Sequence, residues 1–139
     1  MLLDTSGLYC YFDKDDLFHD KAVEFFESAD FMLVSDYVLS EFIPLCRTRG
    51  LKRIQTLAFV EEILYSPFID KVWTTEFHYL EALNLLKTRQ DKSYSLCDAV
   101  SFILMRERGF DRALLRISIS NRKVFFVCSN KILISAVHY

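Results

Sequence analysis

The sequence predicts an α/β domain with helices layered on a mainly parallel sheet, and three observations carry that reading. Short apolar runs that read as strands alternate with longer segments of helical spacing. The 139 residues match the size of a single domain with a real core. A hydrophobic content of 52%, with 15% aromatic residues, excludes a disordered chain. No apolar run reaches the length of a membrane span. Met1 opens into a strand rather than a basic leader with an apolar core, so a soluble, cytoplasmic domain over residues 1–139 is expected.

The elements follow in order. Met1–Leu3 is a short strand that stops at the turn-prone Asp4-Thr5-Ser6-Gly7, and Leu8–Phe12 starts a short helix or loop. Lys21–Ala29 places Ala22, Phe25, Phe26 and Ala29 at helical spacing. Phe31–Val34 reads as a buried strand, and Ser35-Asp36 as a capped helix start. That helix runs through Glu41 to Arg49-Gly50, with Pro44 expected to kink it or to mark a late start near Ser40. Leu51–Leu64 is a second helix with Leu51, Ile54, Leu57, Ala58, Ile63 and Leu64 on its inner face. Pro67–Trp73 supplies a strand, Glu76–Lys87 a helix and Thr88–Lys92 a polar loop. Leu96–Met105 is a nearly all-apolar helix ending at Gly109, and Leu114–Ile119 and Val124–Cys128 are the last strands.

Cysteine and histidine usage narrows the chemistry. Cys10, Cys46, Cys97 and Cys128 are scattered without a CxxC, so free buried thiols are expected rather than disulfides. His19, His78 and His138 pair with no cysteine at zinc spacing. The net charge of −2 hides an asymmetry: residues 1–105 carry 17 acids and 10 bases, residues 106–139 carry 2 acids and 7 bases. A second basic cluster, Arg47, Arg49, Lys52 and Arg53, follows the helix of Glu41. Bases near an acidic site suit a phosphodiester substrate; a solvated charged face is the plainer explanation.

Three carboxylates stand among apolar neighbours: Asp4 in MLLDTSG, Glu41 in YVLSEFIPL and Asp98 in LCDAVSFILM. Drawn toward an interior, each is costly unless neutralised, and one divalent cation compensates all three. Each also has a structural alternative. Asp4 suits an Asx turn, Glu41 can pair with Arg47, and Ser95-x-x-Asp98 matches a capping box. Thr5 and Ser6 add hydroxyls able to hold a water or a phosphate oxygen, while Tyr9, Tyr11 and Phe12 can stack on bases or simply pack.

With LLDTSG at the start, SEF around Glu41 and DKSYSLCDAVSFILMRERG around Asp98, in that order, the chain resembles PIN-domain proteins, the small ribonucleases that include the VapC toxins. The resemblance spans residues 2 to about 114. It implies a three-layer α/β/α sandwich and Mg²⁺ or Mn²⁺ held by Asp4, Glu41 and Asp98. It also implies hydrolysis of RNA, a homodimer, and a small antitoxin protein that blocks the site. Thr5 or Ser6 would be the hydroxyl of the first motif; Arg47, from the basic cluster after Glu41, is separately expected to contact substrate. The family usually adds a fourth acid at the end of the strand after RGxDRAL. Here Asp111 comes too early, nothing acidic follows it, and Ser118, Ser120 or Asn121 offer only neutral oxygens. The ending from about residue 115 is therefore atypical, and weak turnover is expected. The alternative is a binding domain with a decayed site. An LLDTS strand end also resembles that of haloacid dehalogenase-type phosphatases, but the second Asp they require is Ser6 here.

Overall fold

The computed structural model describes residues 1–91, 93–110 and 112–114 in full, and 115–119 and 122–129 as backbone strands. β1 (Leu2–Leu3), β2 (Met32–Ser35), β3 (Ile69–Val72) and β4 (Arg112–Ile119) are parallel in the order β3-β2-β1-β4. β5 (Arg122–Ser129) pairs antiparallel with β4 at the edge. Six helices are described: α1 (Thr5–Phe12), α2 (His19–Glu27), α3 (Asp36–Thr48), α4 (Arg53–Tyr65), α5 (Glu76–Thr88) and α6 (Leu96–Arg108). None is long and apolar enough to cross a membrane.

Strand alternation sorts the core into two layers. Successive strand side chains point to opposite faces. Leu3, Met32, Val34 and Leu114 pack with α1, α2, α3 and α4 through Leu8, Ala22, Val38, Phe42 and Val60. Leu2, Leu33 and Ala113 face the other way onto Ala82 of α5 and Ala99, Val100, Leu104 and Met105 of α6. Both faces of the strands are covered, which is why these strands read as unbroken apolar runs. The sandwich is the expected three-layer one.

The elements depart from expectation at three places. Asp4 to Gly7 is no free turn but the start of α1, with Asp4 as N-cap. Pro44 neither ends nor delays α3, which runs from Asp36 with Ser35 Oγ accepting from Val38 N at 3.3 Å. Proline leaves the Ser40 carbonyl without its usual partner, but Ser40 is exposed and water can serve it. α3 closes instead at Gly50 (φ +80°), where Gly50 N and Leu51 N bond the carbonyls of Arg47 and Cys46. The inner face of α4 is Thr56, Val60 and Ile63, whereas Ile54 is 79% exposed and Leu57 37%. Of the expected face, Ile63 is buried and Leu51 (before the helix) and Leu64 pack against the core, while Ile54, Leu57 and Ala58 are exposed, so α4 presents a narrow stripe to the core rather than a broad apolar face. Cys10, Cys46 and Cys97 are buried and in no disulfide, as expected. The side chain of Cys128, and all of His138, lie outside the described residues.

Candidate metal centre

The sheet topology gathers the three carboxylates at the carboxyl ends of the strands. β1 lies between β2 and β4, with its following helix α1 on one face and α6, which leads into β4, on the other. Such a reversal of winding opens a crevice beyond the strand ends. Asp4 is the first residue past β1, Glu41 lies in the second turn of α3, and Asp98 lies in the first turn of α6.

Asp4 is fixed by its backbone and its side chain. Its N–H donates to the Leu114 carbonyl of β4 at 3.1 Å, and its own carbonyl accepts from Leu8 N at 2.9 Å. Asp4 Oδ2 accepts from Ser6 N (3.3 Å) and Ser6 Oγ (2.9 Å), capping α1. Burial pushes the Asp4 carboxyl up to about 6, the charge of Asp98 and, less, that of Glu41 push the same way, and the two Ser6 bonds pull partly back. The three acids therefore share one electrostatic site. None of the ion pairs among the described residues involves Asp4, Glu41 or Asp98.

The burial argument fails for Glu41. Its residue is exposed, at the edge of the buried stripe of Val38, Leu39, Phe42 and Cys46. What holds it is the buried Thr5 hydroxyl, which donates to Glu41 Oε2 at 2.6 Å. Asp98 is partly buried and makes the capping box that its spacing allowed: its Oδ2 accepts from Ser95 N at 2.7 Å, and its own N–H donates to Ser95 Oγ at 3.1 Å. The cap and the proximity to Asp4 hold together. With Asp98 turned onto its cap, no three His, Cys, Asp or Glu side chains among the described residues are grouped to hold an ion as they stand.

The remaining expected site residues fall in two groups. Thr5 and Ser6 direct their hydroxyls to Glu41 and Asp4 and orient those carboxylates. Arg47 lies six residues beyond Glu41, about 9 Å along α3 and on another face. There it lines a cavity of about 150 Å³ with Ile43, Pro44, Leu51, Arg53 and Thr56. Ser118, by its side chain, and Asp111, Ser120 and Asn121 lie outside the described residues. Sequence reasoning missed Cys97, whose Sγ lies 3.8 Å from Thr5 Oγ1. Burial, with the charge of Glu41 second, pushes its thiol above the usual range. The available signal was its position beside Asp98 at the start of an apolar helix.

The PIN domain model matches residues 1–116. Among solved structures, VapC20 of Mycobacterium tuberculosis, a toxin that cleaves the sarcin–ricin loop, superposes with a TM-score of 0.74 and 26% identity over 81% of this chain and 85% of its own. No curated protein matches the chain. An Asp-capped helix after β1, a Glu on the helix after β2, and an Asp opening the helix before β4 are thus found within a matched span that covers most of the sequence, and the chain belongs to the PIN-domain family.

Proposed function

We propose that this protein is a metal-dependent endoribonuclease, the toxin of a toxin–antitoxin pair, with Asp4, Glu41 and Asp98 holding Mg²⁺ or Mn²⁺. What carries the reading is the closeness of Asp4, Glu41 and Asp98 at the strand ends, where burial and then the two neighbouring carboxylates push the Asp4 carboxyl up. An all-oxygen set of like charges fits a hard divalent cation, which keeps several waters and needs few protein ligands. Bound there, the ion supplies positive charge against a scissile phosphate and its leaving oxygen.

The chain's own residues do the positioning. Ser6 fixes one Asp4 oxygen and Thr5 fixes one Glu41 oxygen, leaving the other oxygen of each carboxylate for the ion. Asp98 joins them by turning from its cap, an exchange of one Ser95 N–H bond for the ion. RNA is the substrate class that the relative's activity supports. A homodimer, a small antitoxin and a cytoplasmic location complete the reading. Exposed Trp73, Phe77 and Leu80 around the start of α5 offer apolar surface for protein contacts. With no acid after Asp111, turnover is expected to be slow.

Incubation with a panel of RNAs that includes a sarcin–ricin stem-loop, in Mg²⁺, Mn²⁺ or EDTA, tests the proposal. Cleavage should require the metal and fall at least 100-fold in Asp4→Asn. RNA binding that survives EDTA, with no cleavage in either metal, would instead establish the non-catalytic binding domain.

A further inference from the structure

Thr5 stands between an exposed carboxylate and a buried thiol, and its single hydroxyl proton decides the direction of both contacts. A carboxylate only accepts, so the 2.6 Å contact to Glu41 Oε2 takes the Thr5 proton. Thr5 Oγ1 can then only accept, so a hydrogen bond across the 3.8 Å contact has the thiol as donor, and the Glu41 carboxylate bears on the same thiol directly. Cys97 is 6% exposed and Thr5 5%, so water has little access to compete for the hydroxyl. Glu41 by contrast is an exposed side chain on a helix surface, with several rotamers open to it.

We propose that Cys97 is a positioning residue for Glu41: its thiol, beside both Thr5 Oγ1 and the Glu41 carboxylate, restrains the Thr5 hydroxyl in its bond to that carboxylate. The relay runs from the first turn of α6 through the first turn of α1 to the second turn of α3. It links three separate elements at the strand ends. Without the thiol, Thr5 Oγ1 keeps its bond to Glu41 but loses the neighbour that restrains its rotation, and Glu41 is held less firmly. The thiol is a weak donor, so its effect is smaller than that of a ligand. This inference rests on the reading of Glu41 as a metal ligand.

Four variants, Cys97→Val, Cys97→Ser, Thr5→Val and Glu41→Gln, separate the possibilities, with Mn²⁺ binding followed by the paramagnetic signal of the free ion. Valine keeps the apolar filling and removes the donor; serine keeps a donor. Cys97→Val should weaken Mn²⁺ binding about three- to tenfold, Cys97→Ser less than about twofold, and Glu41→Gln more than about tenfold. A second readout needs no metal: the infrared S–H stretch lost in Cys97→Val belongs to Cys97, and it should shift in Thr5→Val. Wild-type Mn²⁺ affinity in a folded Cys97→Val, or an S–H band indifferent to Thr5→Val, overturns the relay while a weakened Glu41→Gln leaves the metal reading standing. Wild-type affinity in Glu41→Gln overturns that reading and the relay with it.

Discussion

Gly7 meets the backbone of Leu114 so closely that a Cβ built on it would sit 2.3 Å from the Leu114 carbonyl oxygen and 2.7 Å from its carbon. The same carbonyl accepts from Asp4 N. The first turn of α1 therefore lies directly on β4, and that contact fixes where Asp4 emerges from the sheet. Only glycine permits it, because the obstruction is backbone rather than the flexible end of a side chain.

Gly7→Ala should thus cost about 2–3 kcal/mol, the upper range for overpacking in a well-filled interior. Urea denaturation checks the value. A cost below about 0.5 kcal/mol would mean that α1 can lift off β4 without penalty.

The raised Asp4 carboxyl gives folding a pH dependence with a definite sign. Between its ordinary value of 3.8 and the folded value of about 6, the native state holds a proton that the unfolded chain has released. Its contribution is full below the lower value, and stability falls as pH rises through that window. Asp4→Asn keeps the oxygen that caps Ser6 and removes the ionisation. It should raise stability at pH 7 by on the order of 1 kcal/mol and flatten that part of the profile. Mg²⁺ should stabilise the wild type more at pH 7 than at pH 5, because at the lower pH it must displace the Asp4 proton. Thermal melts at the two pH values, with and without the ion, read both effects.

The layered fold was legible because two signals agreed: unbroken apolar runs at 1–3 and 31–34, and start and stop residues such as Ser35, Ser95 and Gly109. α4 was misread because Ile54 and Leu57 have the right spacing but face solvent, and spacing cannot tell a core-facing stripe from an uncovered one. Asp4 and Asp98 stood out as charges in apolar surroundings. Glu41 stood out for the wrong reason: its neighbours are apolar, yet it is exposed and held by Thr5 from 36 residues away. Cys97 was invisible for a related cause, since its partner Thr5 is 92 residues distant.

Asp98 serves two purposes that substitution can separate. Asn at 98 retains an acceptor for Ser95 N but not the charge, so Asp98→Asn should change stability by under about 0.5 kcal/mol and bring the Asp4 carboxyl down toward its ordinary value. Ser95→Ala removes the other half of the capping box and should cost about 1 kcal/mol while leaving Asp4 where it is. Denaturation midpoints and carboxyl ¹³C titration distinguish the two.

His78 is a structural histidine. Its Nδ1 accepts from Thr75 N at 3.0 Å, so Nε2 carries the proton and donates to Glu107 Oε2 at 2.8 Å, tying the start of α5 to α6. His78→Ala should cost about 1–2 kcal/mol through loss of the cap and of that link, and Glu107→Ala about half as much. Urea midpoints for the two variants and their double mutant check it; additive losses would mean that the link carries no energy.

The central claim is that Asp4, Glu41 and Asp98 form one site completed by a divalent cation. Carboxyl ¹³C titration of Asp4, in EDTA and in saturating Mg²⁺, tests it most directly. The expected result is a midpoint near 6 without the ion and a clear fall with it, the fall being lost in Glu41→Gln and Asp98→Asn at the same Mg²⁺ concentration. An Asp4 that titrates in the ordinary carboxylate range and ignores Mg²⁺ would contradict the claim.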